Sequence, residues 1–276
     1  VLGLFLPDYD IFALDSTTIS CSIKLLTWAL GKYSKGAVKM HTLLDLRGSI
    51  PTFIHITHGK WHDSNALDIM EPIPFAIYAM DKAYVDFAAL FRMDQCNAYF
   101  VTRAKDNMQF DILEKNYNLD ETIGLRGDYL IKLTGYKSSR LYPQSLRMVE
   151  YYDSENDEEL RFITNHVEIS ALEVANIYRN RWQIEVFFKW IKQNLTVKTL
   201  WGYTENAVKT HLWMAICTYL VVARIKATYK SPYTITECAT LLSVSALEKT
   251  DMKELLTLAE PLNQNKNVKE LNLFDF

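Results

Sequence analysis

Between Tyr178 and Lys192 the chain reads YRNRWQIEVFFKWIK, and this stretch decides how the rest is interpreted. Four polar residues follow one another at steps of three, four and seven positions: Tyr178, Arg181, Glu185 and Lys192. At about 100° per residue they fall on one helical stripe roughly 60° wide. Apolar side chains occupy the neighbouring face: Ile184, Phe187, Phe188 and Ile191. The spacing predicts one helix that buries an apolar face and presents a carboxylate among cations.

Two interpretations of this helix follow from the residues alone. A carboxylate can bind a divalent metal ion, and fixed cations beside it, with Lys189 at the border of the stripe, can bind phosphate oxygens. Alternatively, the segment is an amphipathic surface helix on which Arg181 and Glu185 form an exposed ion pair four residues apart. The helix by itself leaves both open.

Upstream of this helix, the hydrophobic pattern predicts the order β-β-β-α-β-α-β. The predicted strands are Phe12–Leu14, Lys39–Asp45, Ile50–Thr57, Phe75–Met80 and Ala98–Thr102. The predicted helices run from Asp63 or Ser64 to about Met70 and from Asp86 to Met93. The first strand leads into Asp15 and the fourth ends on Asp81, so two strands each deliver an aspartate.

The pattern then changes twice along the chain. Short alternating segments between Gly, Asp and Asn turns predict a mostly β insertion at 105–166. Ser170, with Glu173 three residues on, predicts a capping box that starts a helical region. We therefore expect residues 1–104 to form the first part of the core, 167–230 its helical remainder, and 231–276 a C-terminal helical segment and a polar tail.

Composition is that of an ordinary soluble globular protein, with 49% hydrophobic and 23% charged residues. The net charge of −3 argues against a protein that binds a polyanion with its whole surface. From Tyr178 to Lys230, however, nine cations face only two acids. Four widely spaced cysteines indicate neither a disulfide framework nor a structural zinc site, which suits a reducing, cytoplasmic setting. The apolar run Leu212–Ala223 is too short to span a bilayer and predicts a buried helix.

Asp15, Asp81 and Glu185 are the candidate metal ligands. Each aspartate alone has an ordinary explanation, because Asp caps helices and starts turns. Jointly they are more informative: in such a sheet the first and fourth strands can lie side by side, so Asp15 and Asp81 can face each other. Two carboxylates held close together repel unless a cation intervenes. Hard oxygen ligands of this kind suit magnesium or manganese.

At this point the chain resembles a known family. Asp81-Lys82-Ala83-Tyr84 after a strand, with the spacing of Tyr178, Arg181, Glu185 and Lys192, is similar to the DDE transposases of bacterial insertion sequences, in the insertion sequence four family. The resemblance runs from about Ile11 to Arg224; Lys82-Ala83 stands where the family more often has Arg-Gly. It implies an α/β, ribonuclease-H-like core with a β-rich insertion before the glutamate helix. It also implies that Asp15, Asp81 and Glu185 are catalytic and bind two Mg²⁺ or Mn²⁺ ions.

The resemblance further implies what the protein does. The expected activity is metal-dependent DNA strand cleavage and strand transfer at insertion-sequence ends, by a homodimer on paired ends, in the bacterial cytoplasm and associated with the nucleoid. The expected DNA contacts are Tyr178, Arg181, Lys189, Lys192, Lys82 and Tyr84. An aromatic of the insertion is expected to stack on a displaced base, from among Tyr136, Tyr142, Tyr151 and Tyr152. Two alternatives remain: an inactive or truncated transposase-derived DNA-binding protein, and a ribonuclease-H-like nuclease.

Overall fold

A computed structural model describes residues 6, 9–21, 28–29, 36–117, 120–194 and 202–257. The polar tail predicted near the end of the chain lies outside these described residues. The chain divides into two compact units, Val1–Leu212 and Trp213–Phe276, which are described separately.

The first unit is built on one large mixed sheet. Within the described residues nine strands take part, in the order β3-β2-β1-β4-β5-β9-β8-β7-β6. Their bounds are β1 Ile11–Cys21, β2 Gly36–Asp45, β3 Ile50–His58, β4 Ile77–Met80, β5 Tyr99–Arg103, β6 Phe110–Lys115, β7 Leu125–Leu133, β8 Ser145–Asp153 and β9 Glu158–Thr164. The prediction of a mixed α/β fold is confirmed.

The centre of the sheet brings two predicted site residues to the same edge. β4 pairs with β1 in parallel, and the last paired residues are Leu14 and Met80. Asp15 and Asp81 directly follow this pair. Because the carboxyl ends of parallel strands meet at one edge of a sheet, both aspartates lie at that edge. β4 is buried along its whole length, as expected of a central strand covered on both faces. The pairing of β1 with the buried strand β4 therefore places Asp15 and Asp81 at the same level of the sheet.

Helices of the first unit cover both faces of the sheet. Their bounds are α1 Ala66–Ile69, α2 Phe87–Gln95, α3 Ser138–Leu141, α4 Ala171–Asn180 and α5 Trp182–Asn194. Alternate residues of the central strands serve opposite faces. Leu14 and Met80 join the core cluster that contains α1 and α2, whereas Ile77 and Val101 join the cluster under α4.

The segment predicted as β-rich contains β6 to β9 and extends the same sheet. β9 pairs antiparallel with β5, and β8, β7 and β6 follow in turn. The sequence indicated strands here but did not indicate that they continue the sheet of the core. The chain then returns from β9 to α4, which opens with the predicted capping box of Ser170 and Glu173.

Three local predictions were wrong. β1 continues for six residues beyond Asp15, because its antiparallel pairing with β2 runs on to Cys21, so Asp15 ends only the pairing with β4. The helix predicted over 178–192 is two helices separated at Arg181, where the bonding switches to three-residue steps. Neither Asp63 nor Ser64 caps the helix after β3: the segment begins as a 3-10 turn, Asp63–Asn65, without a side-chain cap.

α6, Glu205–Tyr229, starts in the first unit and continues into the second, where α7, Ile235–Val244, and α8, Met252–Thr257, follow. The prediction of a buried helix at 212–223 holds for only one face, since Trp213, Met214 and Val221 are exposed. By length and composition α6 could cross a membrane, a test that core helices of soluble proteins also pass. In the second unit Val222, Cys238 and Leu256 form a small core of their own.

Candidate active site

Arg181 joins two of the three predicted acidic residues. Its two terminal nitrogens reach Asp15 Oδ2 at 2.8 Å and Glu185 Oε1 at 2.7 Å. Glu185 lies in the first turn of α5, which packs against β1, so the contact links helix and sheet. Only 13% of the Arg181 side chain is exposed, and this excludes the simple surface ion pair that the sequence left open. The Arg181–Glu185 pair is one half of a bridge that links α5 to β1.

The Asp15 carboxyl is held in an environment that disfavours its charge. Burial raises its pKa to about 6, against the lowering effect of the Arg181 guanidinium and of the Ser16 amide, which donates to Oδ1 at 2.7 Å. The nearby carboxylates of Glu185 and Asp81 raise the pKa further. Although burial opposes the charge of Arg181, the carboxylates of Asp15 and Glu185 keep its pKa above the ordinary value. The charges of Glu185 and Asp81 therefore both affect the protonation of Asp15.

Asp81 follows β4 and begins the second 3-10 turn, Lys82–Tyr84, where its Oδ1 accepts from the Ala83 amide at 3.4 Å. A cavity of about 600 Å³ opens beside it. The lining residues are Asp81, Lys82, Ala83, Lys105, Asp106 and Asn107. Lys82 contributes a half-exposed ammonium that lies 3.7 Å from Asp106. This cavity gives Asp81 access to solvent on the side away from the core.

Tyr178 lies at the centre of the site rather than on its rim. Its ring is 5.5 Å from the Arg181 guanidinium and 4.8 Å from the ring of Phe162. Burial raises its pKa, as does the Asp81 carboxylate, whereas Arg181 and Arg103 lower it. The Tyr178 hydroxyl therefore interacts electrostatically with Arg181, Arg103 and Asp81.

Arg103 belongs to the same neighbourhood and was missed by sequence reasoning. It ends β5, the strand beside β4, and pairs with Glu158 at 2.5 Å. Its pKa is raised: burial opposes the charge, but Glu158, Tyr178 and Asp81 outweigh it. The available signal was its position at the end of the next strand, where a parallel neighbour brings side chains to the same edge.

The predicted DNA-contacting residues divide by exposure. Lys82 and Lys189 are exposed and Lys192 is partly buried on α5. Tyr84 is 1% exposed and packs in the core under β4, so the DNA contact predicted for it does not fit the structure. Its ring instead fills the space beneath the Asp81 turn. Burial, and then the carboxylates of Asp15, Asp63 and Asp81, raise the pKa of its buried hydroxyl.

The donor set suits a hard divalent cation, but it is not assembled into a closed metal site. Asp15, Asp81 and Glu185 supply carboxylate oxygens, the ligands that Mg²⁺ and Mn²⁺ prefer. The carboxylates of Glu185 and Asp81 add to the effect of burial in raising the pKa of Asp15, and Arg181 supplies the compensating positive charge. Across the described part of the chain, no three His, Cys, Asp or Glu side chains stand close enough to hold a metal ion. Arg181 thus lies between the carboxylates of Asp15 and Glu185.

Comparison with known proteins identifies relatives of this chain. A family model described as a transposase DDE domain matches residues 6–221. The chain is 33% identical over 211 residues to a probable transposase for insertion sequence element IS5377 of Geobacillus stearothermophilus, covering 75% of this chain and 54% of that one. It is 30% identical over 225 residues to a protein of Synechocystis sp. named as a putative transposase for insertion sequence element IS4SA, covering 78% of this chain and 60% of that one. The chain therefore spans little more than half the length of these relatives.

One solved structure shares the fold. The chain superimposes on the piggyBac transposase in a synaptic complex with hairpin DNA, with a TM-score of 0.51 over 92% of this chain and 59% of that one. At 10% sequence identity the likeness concerns the fold alone.

Proposed function

The chain belongs to the family of transposases with a DDE domain, and from that premise we propose that it cuts and joins DNA strands at the ends of an insertion sequence. The observation that carries the proposal is the Asp15–Arg181–Glu185 bridge. It brings a strand residue and a helix residue, 170 positions apart in the sequence, to one guanidinium. Asp81 is near enough to raise the pKa of Asp15. These are the three acids that the resemblance assigns to catalysis.

Proteins with this domain generally use divalent metal ions, and we assign Asp15, Asp81 and Glu185 as the ligands here. Two Mg²⁺ or Mn²⁺ ions, when bound, would activate the attacking hydroxyl and stabilise the leaving oxygen. Asp15 contributes a carboxylate oxygen whose negative charge Arg181 stabilises. Asp81 contributes one that faces the neighbouring cavity. Glu185 contributes the most accessible carboxylate, 45% exposed.

Substrate binding is assigned to the cations around these acids. Arg181 has a planar guanidinium suited to a phosphate, and Lys189 and Lys82 present ammonium groups to solvent. Lys192 lies one turn beyond Lys189 on α5. Such contacts position the DNA backbone without reading its sequence.

Among the four candidate tyrosines of the insertion, we assign stacking on a displaced base to Tyr136. Tyr142 is buried at 1% exposure, whereas Tyr136 is 78% exposed and rests on the Arg140 guanidinium, 4.2 Å from its centroid. An exposed ring backed by a cation can stack on an unpaired base.

We further assign the core to the ribonuclease-H-like topology. The order β3-β2-β1-β4-β5, with β1, β2 and β3 antiparallel and β4 and β5 parallel to β1, supports this assignment. The DNA partner, a homodimer on paired ends and a nucleoid-associated location in the bacterial cytoplasm belong to the same proposal.

A second candidate is a transposase-derived DNA-binding protein without catalysis. It is favoured by the guanidinium that fills the space between Asp15 and Glu185, and by the lack of a closed metal cluster in the part of the chain that is described. This candidate predicts DNA binding that no divalent ion converts into cleavage.

The deciding experiment incubates the protein with labelled DNA that carries the terminal repeats of its own element, with Mg²⁺ or Mn²⁺. The proposal expects a nick beside the repeat and a product joined to target DNA. Binding without cleavage supports the second candidate, and degradation without joining supports a nuclease. Glu185→Gln should abolish cleavage while retaining DNA binding, and Glu71→Gln, an exposed acid elsewhere, should cut like the parent. A Glu185→Gln variant that cuts normally would contradict the assigned site.

A further inference from the structure

On the face of the sheet opposite Arg181, a polar cluster of Ser16, Lys39, His41 and Asp63 lies beneath the strand end that carries Asp15. Asp15 and Ser16 are consecutive in β1, so their side chains point to opposite faces. Asp15 contacts Arg181 on one face, and Ser16 Oγ donates to Asp63 Oδ1 at 2.5 Å on the other. The strand is therefore held from both sides at two successive residues.

Asp63 is the centre of this cluster. Lys39 Nζ donates to both of its carboxylate oxygens at 3.2 Å and to the Trp61 carbonyl at 3.0 Å. His41 lies directly across from Ser16 in the β1–β2 ladder, is fully buried, and places Nδ1 3.7 Å from Asp63. The side chains of Lys39 and Asp63 are 11% and 25% exposed, so the ion pair is largely removed from water.

The same turn reaches the second aspartate. The 3-10 turn Asp63–Asn65 packs against the turn Lys82–Tyr84 that Asp81 caps. Tyr84, in the second of these turns, is buried, and its pKa is raised by burial and by the carboxylates of Asp15, Asp63 and Asp81. Asp63 thus lies on a turn that contacts both the β1 segment carrying Asp15 and the turn that follows Asp81.

A buried ion pair is a weak source of stability, because the cost of removing two charges from water offsets their attraction. Apolar packing would hold a plain sheet edge at least as well. A charged centre at this location is better explained by the alignment it imposes, since Ser16, Lys39 and Asp63 fix one geometry for β1 where its pairing with β4 ends.

We propose that Asp63 is a positioning residue that acts through the Ser16 hydroxyl to set the place and direction of the Asp15 carboxylate. The inference rests on the proposed function and extends it to residues on the far face of the sheet. Asp63 does not contact the substrate or a metal in this assignment. Its effect is transmitted by one hydrogen bond and one strand position.

The test removes the link while leaving the ion pair in place. Ser16→Ala deletes the hydroxyl that meets Asp63, Ser16→Thr keeps a hydroxyl, and Thr18→Ala deletes an exposed hydroxyl two residues along the same strand. Five quantities are measured for each variant: the cleavage rate at saturating DNA, the Mn²⁺ concentration for half-maximal rate, Mn²⁺ affinity of the DNA-free protein by electron paramagnetic resonance, DNA affinity in Ca²⁺, and the melting temperature.

We expect Ser16→Ala to lower the cleavage rate or the Mn²⁺ affinity by about tenfold to a hundredfold, the range for residues that orient metal ligands. Its DNA affinity in Ca²⁺ and its melting temperature should match those of Thr18→Ala, and Ser16→Thr should recover most of the loss. Ser16→Ala equal to Thr18→Ala in rate and Mn²⁺ affinity overturns the inference. So does a loss that follows the melting temperature, which would mark a purely structural bond.

The two proposals can fail separately. A parent that cleaves DNA while Ser16→Ala behaves as the control leaves the proposed function standing and removes the role of Asp63. A parent that does not cleave removes the proposed activity, and Mn²⁺ affinity then decides the inference by the same comparison of Ser16→Ala with Thr18→Ala. A parent that neither cleaves nor binds Mn²⁺ overturns both.

Discussion

Arg181 shows how one side chain can serve two states of a site. In the absence of a divalent ion, Asp15 and Glu185 would repel each other, and the guanidinium provides the compensating charge. A divalent ion that binds these oxygens competes with Arg181 for them. We infer that the arginine exchanges carboxylate for phosphate when metal and DNA arrive together.

This exchange can be measured without catalysis. In EDTA, Arg181→Met should lower the free energy of unfolding by about 1–3 kcal/mol, because it leaves two carboxylates without their charged donor. Mg²⁺ or Mn²⁺ should then raise the melting temperature of the variant more than that of the parent, since the ion meets no competitor. The measurement is thermal unfolding with and without metal.

Lys189→Met is the matched control, because Lys189 is a cation of the same helix that is exposed. It should behave as the parent in both conditions. A metal response in Arg181→Met no larger than in the parent would show that Arg181 and the ion do not compete.

His41 makes stability depend on pH. Burial lowers its pKa to about 4, although Asp63 works in the opposite direction; Lys39 and His55 lower it further. The unfolded chain, with a histidine pKa near 6.5, therefore binds the proton more readily than the folded protein does. The contribution of His41 is complete above about pH 6.5 and is lost as the pH falls toward 4.

The difference corresponds to about 2–3 kcal/mol between those pH values. Denaturant unfolding of the parent and of His41→Gln at pH 7 and pH 4.5 measures it: the parent should lose more stability on acidification than the variant does. His58→Gln, in the same β-hairpin but exposed, is the control and should follow the parent. Equal pH dependence in parent and His41→Gln would contradict the assignment.

At the scale of elements, the sequence predicts what is periodic and local. The strand–helix order up to β5 and the capping box at Ser170 could be read from alternation and from one four-residue motif. The break at Arg181 could not, because the polar stripe is continuous through it and the turn depends on contacts with β1. The prediction that Asp63 starts a helix was wrong for a similar reason. Its carboxylate instead accepts hydrogen bonds from Ser16 and Lys39, which belong to strands distant from it in the sequence.

The candidate site divides in the same way. Asp15, Asp81 and Glu185 could be selected from spacing and resemblance, since each follows or begins a recognisable element. Arg103 and the Asp63 cluster could not, because their roles arise from the order of strands in the sheet and from the face on which each residue lies. Tyr84 was assigned to the wrong environment because a motif states which residues are neighbours in sequence and not which way they point.

A buried arginine connects the segment that contains β6 to β9 with the residues that lead into α4. Arg147 of β8 pairs with both oxygens of Asp128 on β7, at 2.8 and 2.9 Å, and donates to the carbonyls of Val167 and Ile169 just before α4. About 8% of Arg147 and 5% of Asp128 are exposed. The pair therefore fixes the chain that leads to the helices bearing Tyr178 and Glu185.

We expect Arg147→Met to cost about 3–5 kcal/mol of unfolding free energy, because Asp128 is left charged and buried. Replacing both partners, as Asp128→Leu with Arg147→Met, should recover much of that loss. Arg92→Met removes the exposed pair with Asp68 and should cost less than about 1 kcal/mol. Denaturant unfolding decides, and an Arg147→Met variant as stable as Arg92→Met would show that the insertion is anchored by other contacts.

At the scale of the whole molecule, charge is distributed unevenly. The chain carries a net charge of −3, yet the region around α5 and the Asp81 turn presents cations. The proposed function therefore predicts that DNA binds through this face, and the number of phosphates contacted would set how steeply affinity falls with salt.

This distribution predicts which lysines contribute to the salt dependence. Each lysine that contacts a phosphate adds about 0.9 to the slope of log affinity against log salt concentration. Lys189→Met and Lys82→Met should each reduce the slope by about that amount, measured by fluorescence anisotropy on duplex DNA in Ca²⁺ across a salt series. Lys249→Met, an exposed lysine of the second unit, should leave the slope unchanged. If Lys249→Met lowers the slope as much as Lys189→Met does, binding is spread over the surface, and the face around α5 is not the one that holds the DNA.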